Sequence, residues 1–431
     1  MPSSTNDSFD KSTIADLVAN YGSSSTTAWL EFERYKIWRP SVEIPESEFP
    51  PVQGYMTRDD WIFAWGNPLV SSPAALGPTA RAFIQFAEEQ GLHPVWACAD
   101  SELEQVLGGE DFGWSTVSCI YEDYVDPAHV IELTSPEAKG QEGVHVVKDL
   151  KKNLMRAQKY DVHVDEVKTG EWKDEDRKSV EDGIAAWKAG RSGVQIASTT
   201  LQPWLDEKHR RYWIARKDDK IVGILILTPV KSNTWQIKNA VSFPDAPKGT
   251  SEALIFTALE DLHGEENTGG ASSQLATRVT NGGQIPSLPT SPGSSTAEVS
   301  SLKVEPPSSN STSRAISPIS NSGLSGVPTP KRSSPPRGPG DSQSALEDEN
   351  RVVLTFGISA APGIEPKHNL GGWKVKALSK TYSKFASSAK LINRGEFRKK
   401  FDSAHEPMYV CYPPDGFGLD GVNNLFKLLK K

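Results

Sequence analysis

The sequence predicts an α/β protein of two units in series, joined by a basic helix and broken by a low-complexity insertion. Three observations carry this. Short apolar strands alternate with amphipathic helices on both sides of the densest cationic segment, VKDLKKNLMRAQK. Residues from about Asn267 to Leu346 are mostly Ser, Pro, Gly and Thr, with no aromatic residue between Phe256 and Phe356. Elsewhere the chain is rich in core-forming residues, with 37% hydrophobic residues overall and 12 tryptophans, which bury large areas or line wide apolar pockets.

In chain order, Trp61 to Trp65 reads as a short strand and Pro78 to Gln90 as an amphipathic helix ended by Gly91. His93 to Ala99 is strand-like, Ser101 to Leu107 helical, and Cys119 to Tyr124 opens another strand. After the basic helix, Trp187 to Arg191 closes a further helix. Tyr212 to Arg216 and Ile221 to Val230 then form strands about the turn Lys217 to Lys220. Trp235 to Phe243 is a third strand and Thr250 to His263 a helix. The low-complexity stretch cannot bury enough apolar surface to offset its ordering entropy, so disorder is expected there. Beyond it, Arg351 to Ile358 alternates as a strand, which needs a sheet to join. The insertion therefore interrupts a domain. It carries four sites suited to proline-directed kinases: Ser291-Pro292, Ser317-Pro318, Thr329-Pro330 and Ser334-Pro335.

Cys98, Cys119 and Cys411 are scattered, odd in number and without metal-ligand spacing, which points to free buried thiols in a reducing, cytoplasmic compartment. The histidines, His145, His163, His209 and His263 among them, form no HxxxH or HxxE group, so no metal is expected. No basic segment followed by an apolar run marks the first residues as a secretory signal. Ile221 to Val230, the most apolar stretch, is far shorter than the ~20 residues that span a bilayer. Contact with lipid is expected from the surface, on membranes or lipid droplets. A net charge of −8 argues against nonspecific nucleic-acid binding by the whole molecule, though not against local patches.

Two such patches exist. Lys148, Lys151, Lys152, Arg156 and Lys159 stand on one predicted helix above an apolar stripe of Leu150, Leu154 and Ala157. A phosphate backbone read by shape and charge, as in structured RNA, suits that face; a solvated surface helix is the plain alternative. From Lys367 to Lys431, 11 Lys and 2 Arg stand against 5 acidic residues. There Tyr382, Phe385 and Phe397 interleave with Lys384, Lys390, Arg394, Arg398 and Lys399, which suits RNA or an anionic membrane. The terminal NNLFKLLKK reads as a basic amphipathic helix able to rest on a bilayer.

The order strand, turn, strand, strand, helix over residues 212–263 is that of GNAT-type acyltransferases. Those cradle a pyrophosphate with several glycines ahead of the helix, whereas Asp245 to Thr250 offers only Gly249, which disfavours acetyl-CoA as donor. Five motifs then follow one another: Trp65-Gly66-Asn67-Pro68, Lys151-Lys152-Asn153-Leu154, Pro244 to Thr250, Phe356-Gly357-Ile358-Ser359, and Phe401-Asp402 with Glu406-Pro407-Met408-Tyr409. In this order they resemble the C-terminal catalytic domain of phosphatidylglycerol lysyl- and alanyltransferases, and within that family the fungal stand-alone type that makes ergosteryl-glycine. The resemblance runs from about Trp61 to the C-terminus. It implies two tandem GNAT-type subdomains bridged by a tRNA-contacting helix, which falls at VKDLKKNLMRAQK. It also implies transfer of an amino acid from aminoacyl-tRNA to a lipid hydroxyl. Residues 1–60 are too short for a synthetase domain, which favours glycyl-tRNA taken from solution and ergosterol as acceptor. Bacterial relatives carry Asp and Arg in the strand that here reads Gln236 to Val241, and Asp at the position of Asn67, which agrees with a neutral acceptor.

The expected domain plan is a segment 1–60, a first subdomain 61–147, the bridging helix 148–160, and a second subdomain begun at 161–266. The insertion 267–346 follows, and 347–431 completes the second subdomain and carries the basic tail. The donor is already an activated ester, so no cofactor is required. The acceptor hydroxyl must lose a proton and the oxyanion needs donors. Asp245 and Glu252, flanking the helix start, are candidates to hold the α-ammonium group; a turn and a helix-dipole role are the plain alternatives. Lys238 or Lys374 is a candidate for the oxyanion or the tRNA terminus. Ser359 stands at a strand end, where open α/β sheets place ligands. Rival readings are transfer to phosphatidylglycerol or a protein N-terminus, and a noncatalytic RNA- or membrane-binding adaptor.

Overall fold

In this computed structural model the described residues are 11–31, 35–141, 143–190, 201–231, 233–267, 351–372, 375, 379–380, 382, 393–414 and 416–429. The four Ser/Thr-Pro sites, Lys374, Lys384, Phe385 and Lys390 lie outside them.

The hairpin read from the sequence forms as β7 (Arg211–Lys217) and β8 (Lys220–Val230). Asp218 and Asp219 both take left-handed backbone, φ 48° and 62°, so the two-residue turn matches the strand twist. In β8, Ile224 and Ile226 pack under α7 (Asp174–Ala189), while Leu225 and Leu227 pack on the other face against α8 (Thr250–Asn267). Both faces of the strand are covered, which is why 221–230 is apolar without alternation.

β9 (Thr234–Ser242) returns antiparallel to β8, and α8 crosses to β10 (Val353–His368), parallel to β9. The N-terminal half repeats the plan. β2 (Gln53–Arg58) and β3 (Trp61–Trp65) form an antiparallel pair, and α3 (Leu76–Glu89) crosses to β4 (His93–Ala99), parallel to β3. After α4 (Ser101–Gly108) come β5 (Ser115–Val125) and α5 (Pro127–Thr134), and after α9 (Asn393–Arg398) comes β11 (Ala404–Tyr412). With β1 (Lys36–Trp38) and β6 (His163–Val167) at the edges, the strands form one 11-stranded sheet ordered β1-β2-β3-β4-β11-β5-β10-β9-β8-β7-β6.

Each half therefore lodges its last strand in the other: β11 lies between β4 and β5, and β5 between β11 and β10. The sequence suggests two sheets in series and assigns 347–431 to the second unit, whereas β11 pairs with β4 and β5. An edge strand leaves a row of unpaired backbone groups, and the exchange removes two such edges at the centre.

One sequence expectation changes, and part of the N-terminal segment joins the core. The C-terminal amphipathic segment is α10 (Leu419–Leu429), but Val422, Leu425 and Leu428 are buried against Trp61, Phe63 and Phe417, so this apolar stripe faces the core instead of a bilayer. Residues 11–31 also fold: Ile14 and Val18 of α1 (Lys11–Tyr21) pack with Trp29 and Leu30 of α2 (Ala28–Glu31) and with Val230. Among the described residues no helix is long and apolar enough to cross a membrane. Cys98 and Cys411 are buried and Cys119 half-buried, all free. Burial pushes the Cys119 thiol up to about 12, so it stays protonated and unreactive.

Candidate active site

β9 and β10 pair only as far as Gln236 and Thr355, then part. β9 bulges there: Leu227 faces Ile237 and Ile226 faces Asn239, leaving Lys238 as the extra residue. β10 turns left-handed at Gly357, φ 73°, where a Cβ would lie 2.9 Å from Gln236 Nε2. Parted from β9, β10 needs other donors for its carbonyls. Arg398 supplies them, donating to the oxygens of Phe356 (2.9 Å), Gly357 (2.9 Å) and Ile358 (3.2 Å).

The same guanidinium pairs with Asp123 of β5, whose side chain is 0% exposed. Asp123 Oδ1 also accepts from His405 Nδ1 (2.6 Å) and Ser359 Oγ (3.1 Å). Burial alone would raise this carboxyl, but the His405 hydrogen bond and the Arg398 charge together hold it below its ordinary value. The His405 ring is 40% exposed and lies against Tyr121, centroids 5.8 Å apart. One centre thus draws on β5, α9, β10 and β11, from both halves of the chain.

Glu122, the neighbour of Asp123, points to the opposite face of the sheet. It is buried, accepts from Thr355 Oγ1 (2.8 Å), and stands beside Glu406 in the β5–β11 register. Burial raises the Glu122 carboxyl, against hydroxyls of Ser24, Thr355 and Tyr124 that lower it; Glu406 is raised by burial and then by Glu122 and Asp100. The loop after α1 covers this face. Thr27 donates to Gln236 Oε1 (2.6 Å) and accepts from Lys238 Nζ (3.0 Å). Gly66 of the Trp-Gly-Asn-Pro motif, φ 72°, admits the loop: a Cβ there would meet Ser25 at 3.1 Å and Thr26 at 3.2 Å.

Burial of Glu122 makes the stability of the fold depend on pH. A carboxyl whose folded-state pKa exceeds the ordinary 4.5 stabilises the fold fully below that value and loses this contribution as pH rises through the raised one. Glu122→Gln keeps the shape and removes the ionisation. Urea unfolding from about pH 4 to pH 7 should therefore show a smaller loss of stability in the variant than in the wild type.

The basic helix is α6 (Lys148–Lys159), with Leu150 and Ala157 buried beneath it. Lys148, Lys152 and Lys159 are exposed, Lys151 and Arg156 half-buried. Arg156 donates to Asn153 Oδ1 (3.0 Å), Asn153 donates to Glu252 Oε1 (2.8 Å), and Lys400 donates to the same oxygen (2.8 Å). Gly249, φ 100°, lets the start of α8 touch α6: a Cβ there would lie 2.1 Å from the Asn153 carbonyl oxygen. The Lys-Lys-Asn-Leu and Pro-Asp-Ala-Pro-Lys-Gly-Thr motifs are thus two sides of one contact. Met155 lies among the cations and is 62% exposed.

Among the sequence candidates, Ser359 contacts Asp123 directly and Lys238 lies at the splay of β9 from β10. Glu252 is buried in the α6–α8 contact, tied to Asn153 and Lys400. Asp245 is 81% exposed in a surface pair with Lys220 (3.3 Å), so neither acid joins the centre at Asp123. Arg398, read with the basic tail as a surface cation, is buried. Asp123, Glu122 and His405 escaped the sequence reading. The available signal was Glu122-Asp123 within a strand of otherwise uncharged residues, since buried charge persists only when paired.

Two parallel crossovers, each preceded by an antiparallel hairpin and followed by a strand lodged in the other half, define an α/β protein with a GNAT-like fold. The family described as phosphatidylglycerol lysyltransferase, C-terminal, matches residues 53–268, and the chain belongs to that family. It is accordingly an aminoacyl-tRNA-dependent lipid aminoacyltransferase in class. Two solved structures share the fold. One is the C-terminal domain ascribed to a lysylphosphatidylglycerol synthetase of Agrobacterium fabrum, at TM-score 0.58 and 12% identity, covering 98% of this chain and 95% of that one. The other is L-PGS from Bacillus licheniformis, at TM-score 0.59 and 11% identity, covering 97% of this chain and 96% of that one. No curated protein matches the chain.

Proposed function

We propose that the protein transfers glycine from glycyl-tRNA to the 3β-hydroxyl of ergosterol, as a peripheral enzyme on sterol-containing membranes or lipid droplets. The observation that carries this reading is the cationic face of α6, anchored through Asn153, Glu252 and Lys400 to the elements that also supply Asp123's partners. RNA laid on Lys148, Lys152 and Lys159 would bring its charged end toward the splay of β9 from β10. The acceptor class follows from the family resemblance: the strand Gln236 to Val241 lacks the Asp and Arg that bacterial relatives carry there, which agrees with a neutral alcohol in place of an anionic phosphodiester.

The test is transfer of labelled glycine from glycyl-tRNA to vesicles containing ergosterol or phosphatidylglycerol, with alanyl-, aspartyl- and lysyl-tRNA in parallel. Ribonuclease-sensitive labelling of ergosterol by glycine is the expected result. Labelling of phosphatidylglycerol alone, or by another amino acid alone, would overturn it. A Lys152→Glu, Lys159→Glu variant should bind tRNA more weakly, and its log-affinity against log-salt slope should shrink by about two, the number of phosphate contacts removed.

A further inference from the structure

We propose that His405 takes the proton from the acceptor hydroxyl and returns it to the leaving ribose oxygen, with Asp123 as its positioning residue. The assignment rests on the transfer reaction proposed above.

Asp123 is fully buried beside Arg398, which holds it ionised, and a carboxylate can only accept hydrogen bonds. The 2.6 Å contact therefore requires that His405 Nδ1 carry a proton. In the neutral ring this leaves the lone pair on Nε2. Tyr121 backs one side of the ring, and the side chain is 40% exposed, so that nitrogen is within reach of a ligand. A base oriented by a buried carboxylate is the arrangement that activates a hydroxyl nucleophile. Ser359 and Arg398 occupy further positions on Asp123, which fixes the carboxylate and through it the imidazole.

The reaction balances without a co-reactant. The acceptor O–H proton passes to His405 Nε2 as the oxygen bonds to the carbonyl carbon of the aminoacyl ester. The tetrahedral intermediate then collapses, the bond to the ribose oxygen breaks, and that oxygen receives the proton from the imidazolium. The products are the new ester and uncharged tRNA, with the imidazole neutral again.

Single-turnover transfer by the full chain, with a tRNA-binding measurement beside it, tests the assignment. His405→Gln can still donate to Asp123 but cannot relay a proton. It should lose about 100-fold or more in transfer rate while binding tRNA as the wild type does. His405→Ala should recover activity when free imidazole is added, a rescue that a merely structural histidine would not give. Wild-type rates in His405→Gln, or His405→Ala unmoved by imidazole, would overturn the assignment while leaving the proposed function standing. An inactive wild type with every aminoacyl-tRNA and acceptor would overturn the proposed function, and the assignment with it.

Discussion

Gly249→Ala should destabilise the protein and weaken tRNA binding out of proportion to the single methyl added. Gly249 has φ 100°, and its new Cβ would lie 2.1 Å from the carbonyl oxygen of Asn153 and 3.3 Å from the Ala157 nitrogen. Neither neighbour is a flexible side-chain end; both are backbone in the middle of α6. Left-handed backbone costs an alanine about 1–2 kcal/mol, and overpacking a fixed contact about 1–3 kcal/mol. A loss of about 2–5 kcal/mol in urea unfolding is expected from the two together. If α6 shifts to relieve the clash, the Asn153–Glu252 bond breaks first, and the cationic face turns away from its present aim. Binding of tRNA should then fall even at temperatures where the variant remains folded. Ala246→Gly, in the same segment but without such contact constraints on glycine, is the matched control and should change binding little.

Arg398→Met is expected to cost about 3–5 kcal/mol, the range for removing one partner of a buried ion pair. Three backbone carbonyls of β10 lose their donor at once, and Asp123 keeps its burial without its countercharge. Arg398→Lys should restore little of this, because an ammonium cannot reproduce the planar fork that reaches Asp123 and three carbonyls together. The double variant Asp123→Asn, Arg398→Met should be less destabilised than the sum of the two single changes, since the uncompensated charge is then gone. Chemical denaturation of the four proteins closes this cycle. Equal and additive losses would mean that Arg398 acts through the carbonyls of β10 alone.

Local elements were legible because their signals are local. The strands Trp61–Trp65 and His93–Ala99 coincide with the sequence reading, and the helix at Lys148–Lys159 follows from a cationic face set opposite Leu150, Leu154 and Ala157. Edges were less legible. β5 begins at Ser115, four residues ahead of the expected Cys119, because Ser and Thr there are buried in the ladder with β11, where propensity gives no warning. The C-terminal helix was found as a helix, but an apolar stripe does not say what covers it. Trp61, Phe63 and Phe417 cover it here.

What the sequence determined by itself is the alternation of strands and helices, the basic face of α6 and the ordered motifs that mark the family, all carried by neighbours within a few turns of chain. The meaning of the charged residues was decided only in three dimensions. Asp123 and His405 are 282 positions apart, and they meet because β5 and β11 exchange places between the two halves of the sheet. Periodicity records which side of an element is buried, but not which distant element buries it. A buried carboxylate, its arginine and its imidazole therefore read in the chain as three unrelated polar residues.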